Sequence, residues 1–108
     1  MIDNDTILAY CTCPDNDCAQ QLAERLVSER LAACVSILPG ITSVYVWNNM
    51  QQSESEVLML IKTTSQKYPA LEARLNQDHP YEVPEIVATP ITHGLPAYLD
   101  WIRCTVKE

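Results

Sequence analysis

At 108 residues, with seven basic against fourteen acidic side chains, the chain has room for one domain with a modest core and carries a net charge of −7. That charge repels phosphate backbones and anionic lipid, which argues against nucleic acid and membrane surfaces as partners. No apolar run approaches the roughly 20 residues needed to span a bilayer, and Met1-Ile2-Asp3-Asn4-Asp5 lacks the basic start of a secretory signal, so a soluble cytoplasmic protein is expected.

Thr6 to Cys13 is an apolar, β-favouring run, and the following Pro14-Asp15-Asn16-Asp17 supplies a helix cap and an acidic first turn. Cys18, Ala19, Leu22, Ala23, Leu26 and Val27 then recur at three- and four-residue spacing, an apolar stripe able to cover a sheet. Cys34 to Leu38 is a second strand-like run, interrupted at Pro39-Gly40 by a bend or bulge and resumed from Ile41 to Trp47. Asn48-Asn49 turns the chain, and the return segment, Gln51 to Thr64, begins polar and ends in Val57-Leu58-Met59-Leu60-Ile61. One end of this long hairpin belongs to the core and the other projects, carrying Tyr45, Trp47 and Met50 as an association surface.

A second helix, capped by Ser65 or Tyr68, uses Tyr68, Leu71 and Leu75 and stops before Pro80. Glu85 to Ile91 forms the last strand, and a C-terminal helix packs through Tyr98, Leu99, Ile102 and Trp101. The succession β-α-β-β-α-β plus a helix predicts an α+β, ferredoxin-like single domain over residues 1–108, with helices on one face of an antiparallel sheet.

Chemistry concentrates in His79-Pro-Tyr-Glu-Val-Pro-Glu85, where two prolines stiffen a loop bearing an imidazole, a phenol and two carboxylates. The five cysteines, at 11, 13, 18, 34 and 104, are odd in number and lack C-x-x-C spacing, so reduced thiols are expected rather than a zinc ribbon or a redox pair. Cys11 and Cys13 alternate along a strand, which sets both thiols on one face and makes a disulfide between them sterically poor. Lys62 follows an apolar run and needs an anionic partner, for which Glu56 and Glu85 are candidates. Glu54 and Glu56 share a strand face and read as a solvated hairpin edge, and His93 reads as a capping or packing residue.

The whole chain resembles the CutA1 family of divalent-cation tolerance proteins. The matching pieces are Cys11-Thr-Cys-Pro-Asp15, Leu31-Ala-Ala-Cys34, Pro39-Gly-Ile-Thr-Ser-Val-Tyr-Val-Trp47, Leu60-Ile-Lys-Thr-Thr64, His79 to Glu85 and Pro90-Ile-Thr-His-Gly94. The resemblance implies a homotrimer assembled through the long hairpin, similar in architecture to the PII signalling proteins. It also implies a copper ion held by the positions matching Cys11 and His79. Family members can carry a second histidine where this chain has Asp78, and a carboxylate there moves the site toward harder ions.

Three classes of function follow. The first is a trimeric protein binding copper or other divalent ions through Cys11, His79 and Asp78. The second is a PII-like small-molecule sensor or scaffold with an intersubunit pocket lined by Tyr45, Trp47, Glu56, Lys62, Tyr81 and Glu85, for which nucleotides and small carboxylates are natural probes. The third, an enzyme with a Cys11 or Cys13 nucleophile beside His79, lacks any G-x-S-x-G, H-E-x-x-H or P-loop signature, so no catalytic activity is expected. RNA binding, natural for a ferredoxin-like fold, is opposed by the acidic charge and the missing aromatic strand signature.

Overall fold

The computed structural model describes residues 5–107. Chain order is β1 (Thr6–Cys13), α1 (Asn16–Ser28), β2 (Cys34–Trp47), β3 (Met50–Thr64), α2 (Tyr68–Asp78), β4 (Ile86–Pro90) and α3 (Pro96–Val106). The strands form one sheet in the order β2-β3-β1-β4, with every neighbour antiparallel. This is the ferredoxin-like split βαβ arrangement with an added C-terminal helix.

Strand alternation decides which side chains meet the helices. Ala9, Cys11 and Cys13 of β1 and Val57, Met59 and Ile61 of β3 are buried in one cluster with Ala19, Leu22, Ala23 and Leu26 of α1 and Leu71 and Leu75 of α2. Leu8, Tyr10, Leu58 and Leu60, of the opposite parity, lie on the second face and are only half buried. A smaller core of Ala33, Ile102 and Val106, with Ile91 and Leu99 against it, seats α3. Gly94 permits this close approach, since a Cβ there would lie 2.9 Å from the Leu99 side chain.

Local chemistry accounts for the element ends. Asp15 caps α1 by accepting the Cys18 N–H at 2.8 Å. The helix closes in a Schellman motif, with the Leu31 N–H donating to the Leu26 carbonyl and the Arg30 N–H to that of Val27. Arg30 occupies the left-handed position, φ 61°, where glycine is usual, and its guanidinium donates to the Thr105 carbonyl at the end of α3. Neither Ser65 nor Tyr68 caps α2: Lys67 holds that position without a side-chain cap, because the preceding turn is closed by the Lys67 N–H donating to the Thr64 carbonyl. β4 is a residue shorter at each end than expected, and only the Ile91 N–H continues its bonding, to the Thr6 carbonyl.

The hairpin is one continuous pair of strands interrupted by a bulge. Leu38 pairs with Leu58 and Ile41 with Glu56, so β2 spends three steps where β3 spends two. Gly40 takes φ +80° there. Asn48 and Asn49 turn the tip with φ of 54° and 63°, the pair of left-handed residues that a tight type I′ hairpin needs. The result is an elongated molecule of 45 × 27 × 23 Å whose outer hairpin exposes Val44, Val46, Trp47 and Met50. Tyr98 and Trp101 do not pack inward as expected. They stack on one another at 5.6 Å on the exposed side of α3, while Ile102 and Val106 take the buried side.

Candidate functional site

Two constellations meet at the end of β1. The first is buried. Because Cys11 and Cys13 share the helix-facing side of β1, their sulfurs lie together, and α2 ends at Asp78 so that the next residue, His79, reaches over them. The two Sγ atoms and an imidazole nitrogen all lie within 4.8 Å of one another, and all three residues are buried. The hydrogen bond with Cys11 first, and burial second, hold the Cys13 thiol well above the ordinary range, so a metal bound there must expel a proton. Cys18, in the first turn of α1, is pushed up to about 11 by burial and then by Cys13.

His79 is fixed at both nitrogens. Nε2 lies 2.8 Å from the Thr12 carbonyl oxygen, which can only accept, so this nitrogen carries the proton. Nδ1 accepts the Tyr81 N–H at 3.1 Å. The Thr12 carbonyl also receives the Cys11 thiol at 3.8 Å. A metal at this point therefore competes with one of the two ring hydrogen bonds, and the neutral imidazole is already in the protonation state a ligand needs.

The second constellation is an open cleft of about 400 Å³ lined by Thr12, Tyr45, Trp47, Glu54, Glu56, Tyr81, Glu82, Val83 and Glu85. Past the bulge, Tyr45 pairs with Gln52 and Trp47 with Met50, which brings these rings to the same face as Glu54 and Glu56. Tyr81, on the stiff loop after α2, donates its hydroxyl to Glu56 at 2.7 Å, and Tyr45 donates to Glu54. Both phenols are raised above their ordinary value, Tyr81 by burial and then by the Glu56 bond, Tyr45 by its bond to Glu54. Glu56 is only 7 % exposed, so this part of the hairpin is not the solvated edge expected of it.

Cys11 and His79 come together, and Cys13, left out of the expected ligand set, joins them. Asp78 does not: its carboxylate is 4.0 Å from the Arg25 guanidinium on α1, because it lies on α2 while His79 has already left the helix. Tyr45, Trp47, Glu56, Tyr81 and Glu85 line the cleft, whereas Lys62 does not. Lys62 lies farther along β3, opposite Cys34, and donates to Ser36 Oγ at 2.6 Å. Thr12, Glu54, Glu82 and Val83 are the cleft residues that sequence reasoning missed, although the shared face of Glu54 and Glu56 was a usable signal. His93 is exposed, with Nδ1 3.1 Å from Thr92 Oγ1.

The family model described as CutA1 divalent ion tolerance protein matches residues 7–105. The chain belongs to the CutA1 family. It is 50 % identical over 92 residues to the divalent-cation tolerance protein CutA of Thermus thermophilus, an alignment covering 85 % of this chain and 89 % of that one. The crystal structure of CutA from Xylella fastidiosa superimposes with a TM-score of 0.93 at 42 % identity, covering 95 % of this chain and 99 % of that one. That of CutA1 from Oryza sativa gives 0.93 at 39 % identity, covering 100 % and 99 %. The CutA1 match spans both constellations, from the thiols of β1 to the loop that follows α2.

Proposed function

We propose that the protein is a cytoplasmic homotrimer that binds copper, and more weakly other divalent ions, at Cys11, Cys13 and His79, and that it acts in metal tolerance by binding rather than by catalysis. The observation that carries this reading is the convergence of two sulfurs and one imidazole nitrogen within 4.8 Å in a buried position. Thiolates with imidazole suit soft or borderline ions, and a three-donor set lends itself to Cu(I). Zinc, which is almost always four-coordinate, would need a further ligand that these residues do not supply. Asp78 stays with Arg25 in this reading and contributes no ligand.

Assembly is supported by the projecting hairpin, whose exposed Val44, Val46, Trp47 and Met50 are a costly surface for a monomer, and by the half-buried apolar face of the sheet. The test is a Cu(I) competition titration of the reduced, metal-free protein, with light scattering in parallel. One ion per chain of a trimer is expected, lost in Cys11→Ser and in Cys13→Ser while the mass stays trimeric. Unchanged stoichiometry in the double variant would refute the site.

A second reading, a PII-like small-molecule sensor, is favoured by the cleft. Its lining contains four glutamates and no lysine or arginine, which disfavours the nucleotides and carboxylates that such a pocket first brings to mind.

A further inference from the structure

We infer that Cys18 is a fourth ligand of the buried cluster, and that with it the chain offers zinc a closed site of three thiolates and one imidazole. The inference rests on the metal-binding reading above and adds to it one residue and a second class of ion, tetrahedral zinc beside Cu(I). Cys11, Cys13 and His79 already hold three donor atoms within 4.8 Å of one another. Zinc–sulfur bonds of about 2.3 Å put the sulfurs of a tetrahedral site roughly 3.8 Å apart, so the cluster needs to contract by no more than about 1 Å. What it lacks for zinc is one further soft donor.

The chain path supplies that donor. β1 ends at Cys13 and α1 begins at Asn16, so only Pro14 and Asp15 connect them. Asp15 fixes the first helical turn by accepting the Cys18 N–H. Cys18 is thereby set beside the strand end, where its thiol and that of Cys13 are hydrogen-bonded to one another. It also packs against the core cluster that contains Cys11 and Cys13. Cys18 stands outside the group whose donors all lie within 4.8 Å, so it closes the site by turning about its own Cα–Cβ bond. Its half-buried position leaves room for that motion and makes it the donor nearest solvent, since Cys11 and Cys13 are fully buried. Charge favours the same division between ions. Cu(I) with two thiolates and zinc with three each leave a single net negative charge, so recruiting Cys18 adds a bond without adding buried charge, its proton passing to solvent.

Anaerobic titration of the reduced, metal-free oligomer with Co(II), the spectroscopic substitute for zinc, followed by displacement with zinc, tests this. One Co(II) per chain is expected, with the visible bands of a tetrahedral site and a thiolate charge-transfer band. In Cys18→Ser that band should fall by about a third, from three thiolates to two, and zinc should bind about tenfold more weakly or worse, while Cu(I) affinity stays within about twofold. Cys104→Ser, an exposed change on α3, should alter none of these. Serine at the half-buried position 18 is a one-atom change, and light scattering checks that the variant keeps the parent's mass. An unchanged Co(II) spectrum and zinc affinity in Cys18→Ser would overturn the inference, and Cu(I) still bound by that variant would leave the copper reading standing. Equal weakening of zinc and Cu(I) would overturn it as well, because Cys18 would then support the fold around β1 rather than ligate zinc. A parent that binds neither ion would refute both readings.

Discussion

The two constellations at the end of β1 share Thr12 as a neighbour and lie on either side of Tyr81, yet they are built on opposite electrostatic terms. The thiol–imidazole cluster is buried among apolar side chains and consists of groups that can be neutral. The cleft is open and holds carboxylates beside aromatic rings. Burial explains the difference: a dry site keeps donors that can shed or hold a proton, whereas fixed charges remain only where solvent or a ligand reaches them. Glu56 is the exception, and it is the residue to which a phenol donates.

The largest separation of the two regions should come from Cys11→Ser, which is expected to weaken Cu(I) by about two orders of magnitude or more while leaving the ionisation of the cleft tyrosines, Tyr45 and Tyr81, unchanged. Competition with a Cu(I) chelator reads the first and ultraviolet titration of phenolate the second; a change in both would mean that the regions are not separable. His79→Ala comes next. It strands the Tyr81 N–H, leaves the Thr12 carbonyl only the Cys11 thiol, and opens a cavity, for an expected loss of about 2–4 kcal/mol in urea unfolding at fixed protein concentration. Tyr81→Phe removes only the donor to Glu56 and should cost about 1–2 kcal/mol, with the backbone bond to His79 and Cu(I) affinity retained. Asp78→Ala breaks a partly exposed ion pair and should change stability by less than about 0.5 kcal/mol.

The smallest expected effect is spectroscopic. Because Tyr45 is held above its ordinary value of 10.0 by donating to Glu54, the folded protein keeps that proton to higher pH than the unfolded chain. Its contribution to stability is therefore complete below pH 10 and fades as pH rises through the folded value. Ultraviolet titration of phenolate should show one tyrosine ionising earlier in Glu54→Gln than in the parent.

The periodicity of the chain was enough for the order of elements, since the alternation in β1 and the stripe of α1 are strong local signals. The pairing of Cys11 with His79 came from resemblance, because no local pattern brings residues so far apart in sequence together. Cys13 was legible in part: alternation put it beside Cys11, but nothing local told that α2 would end over both. Asp78 and Lys62 were misplaced for a related reason. Adjacency in sequence to His79 does not survive the end of a helix, and two strand residues six apart, Lys62 and Glu56, share a face while lying some 20 Å from one another along it. Burial of Glu56 depended on the 79–85 loop folding across β3, a tertiary event with no trace in the hairpin's own sequence.

The bulge at Pro39-Gly40 has a further consequence. Before it, odd-numbered residues of β2 oppose odd-numbered residues of β3; after it, odd opposes even. The hairpin is thus two ribbons spliced out of phase along β2, with one surplus residue at the splice. Removing Gly40 would equalise the two strands here, with Leu38 still opposite Leu58 and Ile41 still opposite Glu56, so Tyr45 and Trp47 would keep the face of Glu54 and Glu56 while the bulge and its added twist were lost. A proline-glycine bend on the surface thus holds the one surplus residue of β2, and it sets how strongly the outer ribbon twists against the core rather than which of its faces looks inward.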